Sequence, residues 1–193
     1  MVDHTGFHLS ALLLAGGQGS RVDGRDKGLI AWQGRPVAEH LAILLRQVSA
    51  ELIISCNRNH EQYRKWADVL VSDPQPDFPG PLAGILSGLK ACSGTHLLVL
   101  PCDVPKMNAA LLCELIALAQ AQPNEPCITR TGDRWQPLVS IVPVALTAEL
   151  QAAWEEGVRS PMRWLAARSH QVFHLPEADQ RFFNANQLKD WNG

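Results

Sequence analysis

Short apolar runs alternate along this chain with stretches whose apolar residues recur every three or four positions, a pattern that predicts β-strands separated by amphipathic helices. The strand candidates are residues 9–14, 52–55, 69–72, 96–100, 126–131, 138–142 and 172–175. Between the first two, Val37, Leu41, Leu44, Leu45 and Val48 share one helical face, with Pro36 placed to open the helix. Gly80 and Pro81 open a second helix that would bury Leu82, Ile85, Leu86 and Leu89. A third runs from Asn108, a suitable N-cap, through Leu111, Leu112, Leu115, Ile116 and Ala119. The order predicts an α/β fold: a single-domain, three-layer sandwich in which helices cover both faces of a mostly parallel sheet.

The first run breaks at Ala15-Gly16-Gly17 into a loop rich in glycine and charge. Gly16, Gly17 and Gly19 let the backbone approach a ligand closely and turn its N–H groups onto one anion. Arg21 and Lys27 follow, a forked cation and a point cation suited to several phosphate oxygens at once. Two familiar phosphate loops fail here. A GxGxxG begun at Gly17 meets Val22 where a small residue is needed, and a Walker A loop begun at Gly19 meets Arg25-Asp26 instead of Lys-Ser/Thr.

In open α/β sheets ligands bind beyond the carboxyl ends of the strands. The glycine loop, Ser55 and Asn57, Asp73, and Asp103 each follow a predicted strand, so four strand ends are expected to face one cleft. Asp103 offers a hard oxygen ligand for Mg2+ bound jointly with phosphates, and Asp73, with Asn57 or Ser55, offers hydrogen-bond acceptors beside it. Asp133 and Asp179 are read as solvated turn residues.

Composition narrows the function. The 193 residues are 46% hydrophobic and 19% charged, with a formal charge of −2; this suits one domain with an ordinary core and argues against a nucleic-acid binder relying on a basic field. No run is long enough to span a membrane, and residues 1–8, expected to be a flexible N-terminus, lack the pattern of a signal peptide. A cytoplasmic location follows as the expectation. Five cysteines without a CxxC pair fit reduced, mostly buried thiols. The seven histidines show no metal-binding spacing, and the six tryptophans, Trp135, Trp154 and Trp164 among them, are spaced as packing residues.

Several separated motifs together carry a resemblance. Leu14-Ala15-Gly16-Gly17, Arg21 and Asp26-Lys27-Gly28, then Asp73, Phe78-Pro79-Gly80-Pro81-Leu82-Ala83-Gly84, Pro101-Cys102-Asp103-Val104-Pro105 and Phe183-Asn184-Ala185-Asn186 resemble the molybdenum cofactor guanylyltransferase (MobA) family of nucleotidyltransferases. Val22 and Asp23 depart from the Met-Gly of its first motif, and Ser55 stands where the family has an asparagine, with Asn57 two residues on.

The resemblance implies the Rossmann-like fold of the nucleotide-diphospho-sugar transferase type, and transfer of GMP from GTP to Mo-molybdopterin with release of pyrophosphate. It implies catalytic roles for Arg21, Lys27 and Asp103. GTP would contact Leu14, Ala15, Gly16, Gly17, Lys27, Asn57, Asp73 and Asp103; the acceptor would meet Gly84, Asn184 and Asn186; Asp103 would hold Mg2+. Molybdenum insertion proteins and molybdoenzyme chaperones are the partners such a role implies, with a monomer expected and no nucleic acid or membrane. The rivals are a cytidylyltransferase acting on molybdopterin or on a sugar or polyol phosphate, and a noncatalytic GTP-binding protein.

Overall fold

The computed structural model describes residues 6–15, 26–73, 80–183 and 185. Its strands and helices run β1 (Leu9–Leu14), β2 (Ala31–Trp32), β3 (Arg35–Pro36), α1 (Val37–Leu45), β4 (Glu51–Ser55), α2 (His60–Tyr63), β5 (Val69–Val71) and α3 (Pro81–Ala91). They continue with β6 (His96–Pro101), α4 (Ala109–Ala121), β7 (Cys127–Thr131), β8 (Arg134–Pro143), α5 (Thr147–Glu155), α6 (Pro161–Ala166) and β9 (Gln171–Leu175).

Seven strands form one sheet in the order β5-β4-β1-β6-β8-β7-β9, with β2 and β3 paired separately. The predicted mostly parallel sheet is present: β5, β4, β1 and β6 run parallel, β7 pairs parallel with β9, and β8 is antiparallel to both its neighbours. Apart from Ser10, Glu51, Ser55 and His96, strands β1, β4 and β6 are apolar because both faces are covered. On β1, Ala11 and Leu13 join the core beneath α1 and α4, while Leu12 joins the core beneath α3, α5 and α6. Ile53 against Leu52 and Ile54, and Leu97 and Val99 against Leu98 and Leu100, divide in the same way.

The three predicted helices begin where expected. Pro36 caps α1, Gly80 and Pro81 open α3, and the Asn108 side chain accepts from the Leu111 N–H at 3.0 Å to cap α4. Unpredicted elements are those with too few buried positions to make a periodic stripe. Among the described residues of α5 only Leu150 and Trp154 are buried, and the β2–β3 hairpin has two residues per strand around Gln33 and Gly34, both at positive φ. Strand β8 starts four residues before the predicted 138 because Arg134 to Pro137 are polar or half-exposed.

Residues 6–8, within the N-terminus expected to be flexible, are packed against the β6 end of the sheet. Phe7 is buried and stacked on His96 with ring centroids 3.9 Å apart, and the His8 N–H donates to Thr95 Oγ1.

Candidate functional site

Four parallel strands end on one level. Register pairs Val71 with Ser55, Ser55 with Leu14, and Leu14 with Pro101, so the chain leaves the sheet at four adjacent points along a single edge. Short backbone bonds tie the exits together: Cys56 N–H to Val71 O at 3.0 Å, Ala15 N–H to Ser55 O at 2.8 Å and Cys102 N–H to Leu14 O at 3.1 Å. Asp73, Asn57, Ala15 and Asp103 stand within two residues of these ends. Leu14 and Ala15, expected at the nucleotide, each commit one backbone group to these bonds, the Leu14 carbonyl and the Ala15 N–H.

At the β1–β6 side, Lys27 Nζ lies 3.6 Å from Asp103 Oδ2, the two side chains being 19% and 27% exposed. The pair is held by structure yet open to a ligand. Lys27 begins a 3-10 turn, Lys27–Leu29, and Asp103 follows β6 directly, so both charges sit on rigid supports. The Asp103 carbonyl accepts from the Ala185 N–H at 3.0 Å, which places Ala185 beside it.

At the β4–β5 side the two base-reading candidates bond each other. Asn57 Nδ2 donates to Asp73 Oδ2 at 2.7 Å, and the Asp73 N–H donates to Asn57 Oδ1 at 2.9 Å. Burial pushes the Asp73 carboxyl above its ordinary range, and the bond from Asn57 opposes that rise. Ser55, the alternative to Asn57, is buried at the helix interface.

Gly84, expected at the acceptor, is buried inside α3 where packing accounts for it. A Cβ there would come within 2.8 Å of Leu14 Cδ2 and 2.9 Å of Ser55 Oγ, so the glycine lets α3 lie directly on the ends of β1 and β4. Gly16, Gly17, Arg21, Asn184 and Asn186 lie outside the described residues, as do Phe78 and Pro79 of the loop before α3.

Sequence reasoning passed over Asp26. Its buried carboxylate accepts from Tyr63 Oη at 2.6 Å, Gly28 N at 3.1 Å and Asn59 Nδ2 at 2.9 Å, with Arg58 Nε 3.8 Å away. The signal was the string Asp26-Lys27-Gly28 itself: a Cβ on Gly28 would overlap the Tyr63 phenol oxygen. Asp179, expected in solvent, is also engaged: its side chain is 8% exposed and bonds Arg181 at 2.6 Å. Asp133 is fully exposed and paired with Arg130. All five cysteines are free thiols; burial pushes Cys56 up to about 11 and Cys127 up to about 12, and raises Cys102 further. Burial thus keeps these three thiols from being activated nucleophiles.

The fit to a metal is specific. Among the described residues no group of three or more His, Cys, Asp or Glu is placed to hold an ion. Asp103 alone at a strand end matches Mg2+, which keeps waters and substrate phosphates as its other ligands; Asp26, filled by internal donors, does not.

The family profile of the MobA-like NTP transferase domain matches residues 11–172. The chain belongs to that family. It is 49% identical over 177 residues to the molybdenum cofactor guanylyltransferase of Pseudomonas fluorescens, covering 92% of this chain and 88% of the relative. It is 46% identical over 185 residues to that of Ectopseudomonas mendocina, covering 96% and 90%. Among solved structures, molybdopterin-guanine dinucleotide biosynthesis protein A of Archaeoglobus fulgidus superposes with TM-score 0.73 at 21% identity over 94% of both chains. The 2-C-methyl-D-erythritol 4-phosphate cytidylyltransferase of Thermus thermophilus superposes with TM-score 0.71 at 17% identity over 95% of both. These MobA-like and cytidylyltransferase structures share the fold alone, which therefore carries no choice of base.

Proposed function

We propose that this chain transfers GMP from GTP to the terminal phosphate of Mo-molybdopterin, forming molybdopterin guanine dinucleotide and pyrophosphate. The observation that carries the reading is the 49% identity to a molybdenum cofactor guanylyltransferase across 92% of the chain. The same finding sets the cytidylyltransferase and the noncatalytic GTP-binding protein behind it.

The reaction brings anions together. The attacking phosphate monoester already carries about −1.5 to −2 charge near pH 7, so no strong general base is required. Lys27 neutralises phosphate oxygens and holds them in line for displacement at the α-phosphorus. Asp103, 3.6 Å away, is the carboxylate that would hold Mg2+. That ion, when bound, screens the triphosphate and stabilises charge on the leaving pyrophosphate. Arg21 and the N–H groups of Gly16 and Gly17 are assigned to the same phosphates, and Asn184 and Asn186 to the acceptor. Asp73 accepts from the guanine N–H donors, with Asn57 orienting it.

No helix among the described residues is long and apolar enough to cross a membrane. We place the enzyme in the cytoplasm as a monomer that hands its product to molybdenum insertion proteins and molybdoenzyme chaperones. The test is product formation from Mo-molybdopterin with GTP and with CTP, resolved by chromatography. Dinucleotide from GTP and little from CTP is expected; the reverse would overturn the base assignment, and pyrophosphate release independent of the acceptor would overturn the transfer.

A further inference from the structure

The segment after β4 touches both halves of the site. Asn57 holds Asp73, and two residues later Asn59, in the left-handed region at φ 56°, turns its amide onto Asp26. Tyr63, fully buried in α2, reaches the other Asp26 oxygen from 37 positions away. That same oxygen accepts the Gly28 N–H, so Asp26 and Gly28, the residues on either side of Lys27, are joined through one carboxylate. A buried carboxylate is a costly way to gain stability, because an apolar residue of similar volume often serves as well or better. Asn59 adds backbone conformation that non-glycine residues seldom adopt. Both features occur beside the one lysine the reaction needs.

We propose that Tyr63 and Asn59 are positioning residues that act through Asp26 to hold Lys27 against the phosphates and Asp103. Asp26 is the anchor: Tyr63 and Gly28 fix one oxygen, and Asn59, with Arg58 nearby, fixes the other. The anchored turn then projects Lys27 to within 3.6 Å of Asp103. Gly28 belongs to the device because only a residue without a Cβ leaves room for the phenol.

The inference rests on the role given to Lys27 above, and its test separates the two. Tyr63→Phe keeps the packed ring and removes one donor; Asn59→Gly keeps the left-handed turn and removes the other. Each is expected to slow single turnover at saturating GTP by about tenfold, since small misplacement of a catalytic group is costly. In a Lys27→Ala background the same substitutions are expected to change the rate by no more than about twofold. The same cycle is measured on Mg2+–GTP affinity by calorimetry, which requires no turnover. An undiminished effect without Lys27, or a folded Tyr63→Phe protein with the wild-type rate and affinity, overturns the positioning role. Wild type that binds GTP with coupled affinities yet forms no dinucleotide would overturn the function while supporting the clamp.

Discussion

Lys27 and Asp103 are close enough to attract each other and exposed enough to be drawn apart by a phosphate and a metal. Removing either leaves the core untouched, so Lys27→Ala and Asp103→Ala are each expected to lower turnover by at least about a hundredfold with an unchanged circular dichroism spectrum. A folded Asp103→Ala enzyme of near-normal activity would contradict the metal role. Gly28→Ala is the complementary case. Its Cβ would overlap a phenol locked to Asp26, and the displaced ring is expected to cost about 1–3 kcal/mol in urea unfolding as well as activity. Both charges of the Lys27–Asp103 pair were legible in the sequence, since each follows a glycine loop or an apolar run directly. Asp26 stood in the string Asp26-Lys27-Gly28, but its anchoring role was not legible, because two of its donors arrive from 33 and 37 positions later in the chain. Gly84 was legible as special, and the close approach of α3 to β1 and β4 gives it a packing reason that sequence does not show.

The elements differ in how strongly they announce themselves. Strands β1, β4 and β6 are buried on both faces and read as unbroken apolar runs. Helix α4 carries a local signal, Asn108, whose side chain fills the Leu111 N–H at 3.0 Å. Asn108→Ala is expected to cost about 1 kcal/mol in equilibrium unfolding, with no change in turnover per folded molecule, because the cap serves the helix alone. Helices α5 and α6 are short, burying Leu150 and Trp154, and Pro161, Trp164 and Leu165, and add stacked pairs: Arg159 lies over Trp154 at 3.8 Å and Arg168 over Trp164 at 3.9 Å. Such cation–π contacts join residues by shape and charge rather than by period, which is why the pattern of apolar positions passed over those helices.

At the scale of the molecule, the level ends of β5, β4, β1 and β6 explain why Ala15, Asn57, Asp73 and Asp103, far apart in sequence, leave the sheet side by side. The opposite end of β6 carries a pH-dependent joint. His96 is buried under Phe7, with Nε2 2.7 Å from the Pro123 carbonyl. Burial lowers its pKa below the ordinary 6.5, against a smaller opposing pull from that carbonyl. The unfolded chain therefore takes up the proton first as the pH falls. This contribution to stability is present above 6.5 and is lost as the pH drops from there through the lowered value. Thermal unfolding of wild type is expected to show that loss, and His96→Gln to flatten it.

The central claim is transfer at the α-phosphorus of GTP to a molybdopterin phosphate, and the most direct measurement follows that atom. Single turnover with Mg2+, Mo-molybdopterin and GTP labelled at the α-phosphate, or in parallel at the γ-phosphate, is resolved into dinucleotide, pyrophosphate and orthophosphate. The account predicts α-label in the dinucleotide and γ-label in pyrophosphate, both dependent on the acceptor. Label released as free GMP, or γ-label in orthophosphate, would make the protein a hydrolase and contradict the account.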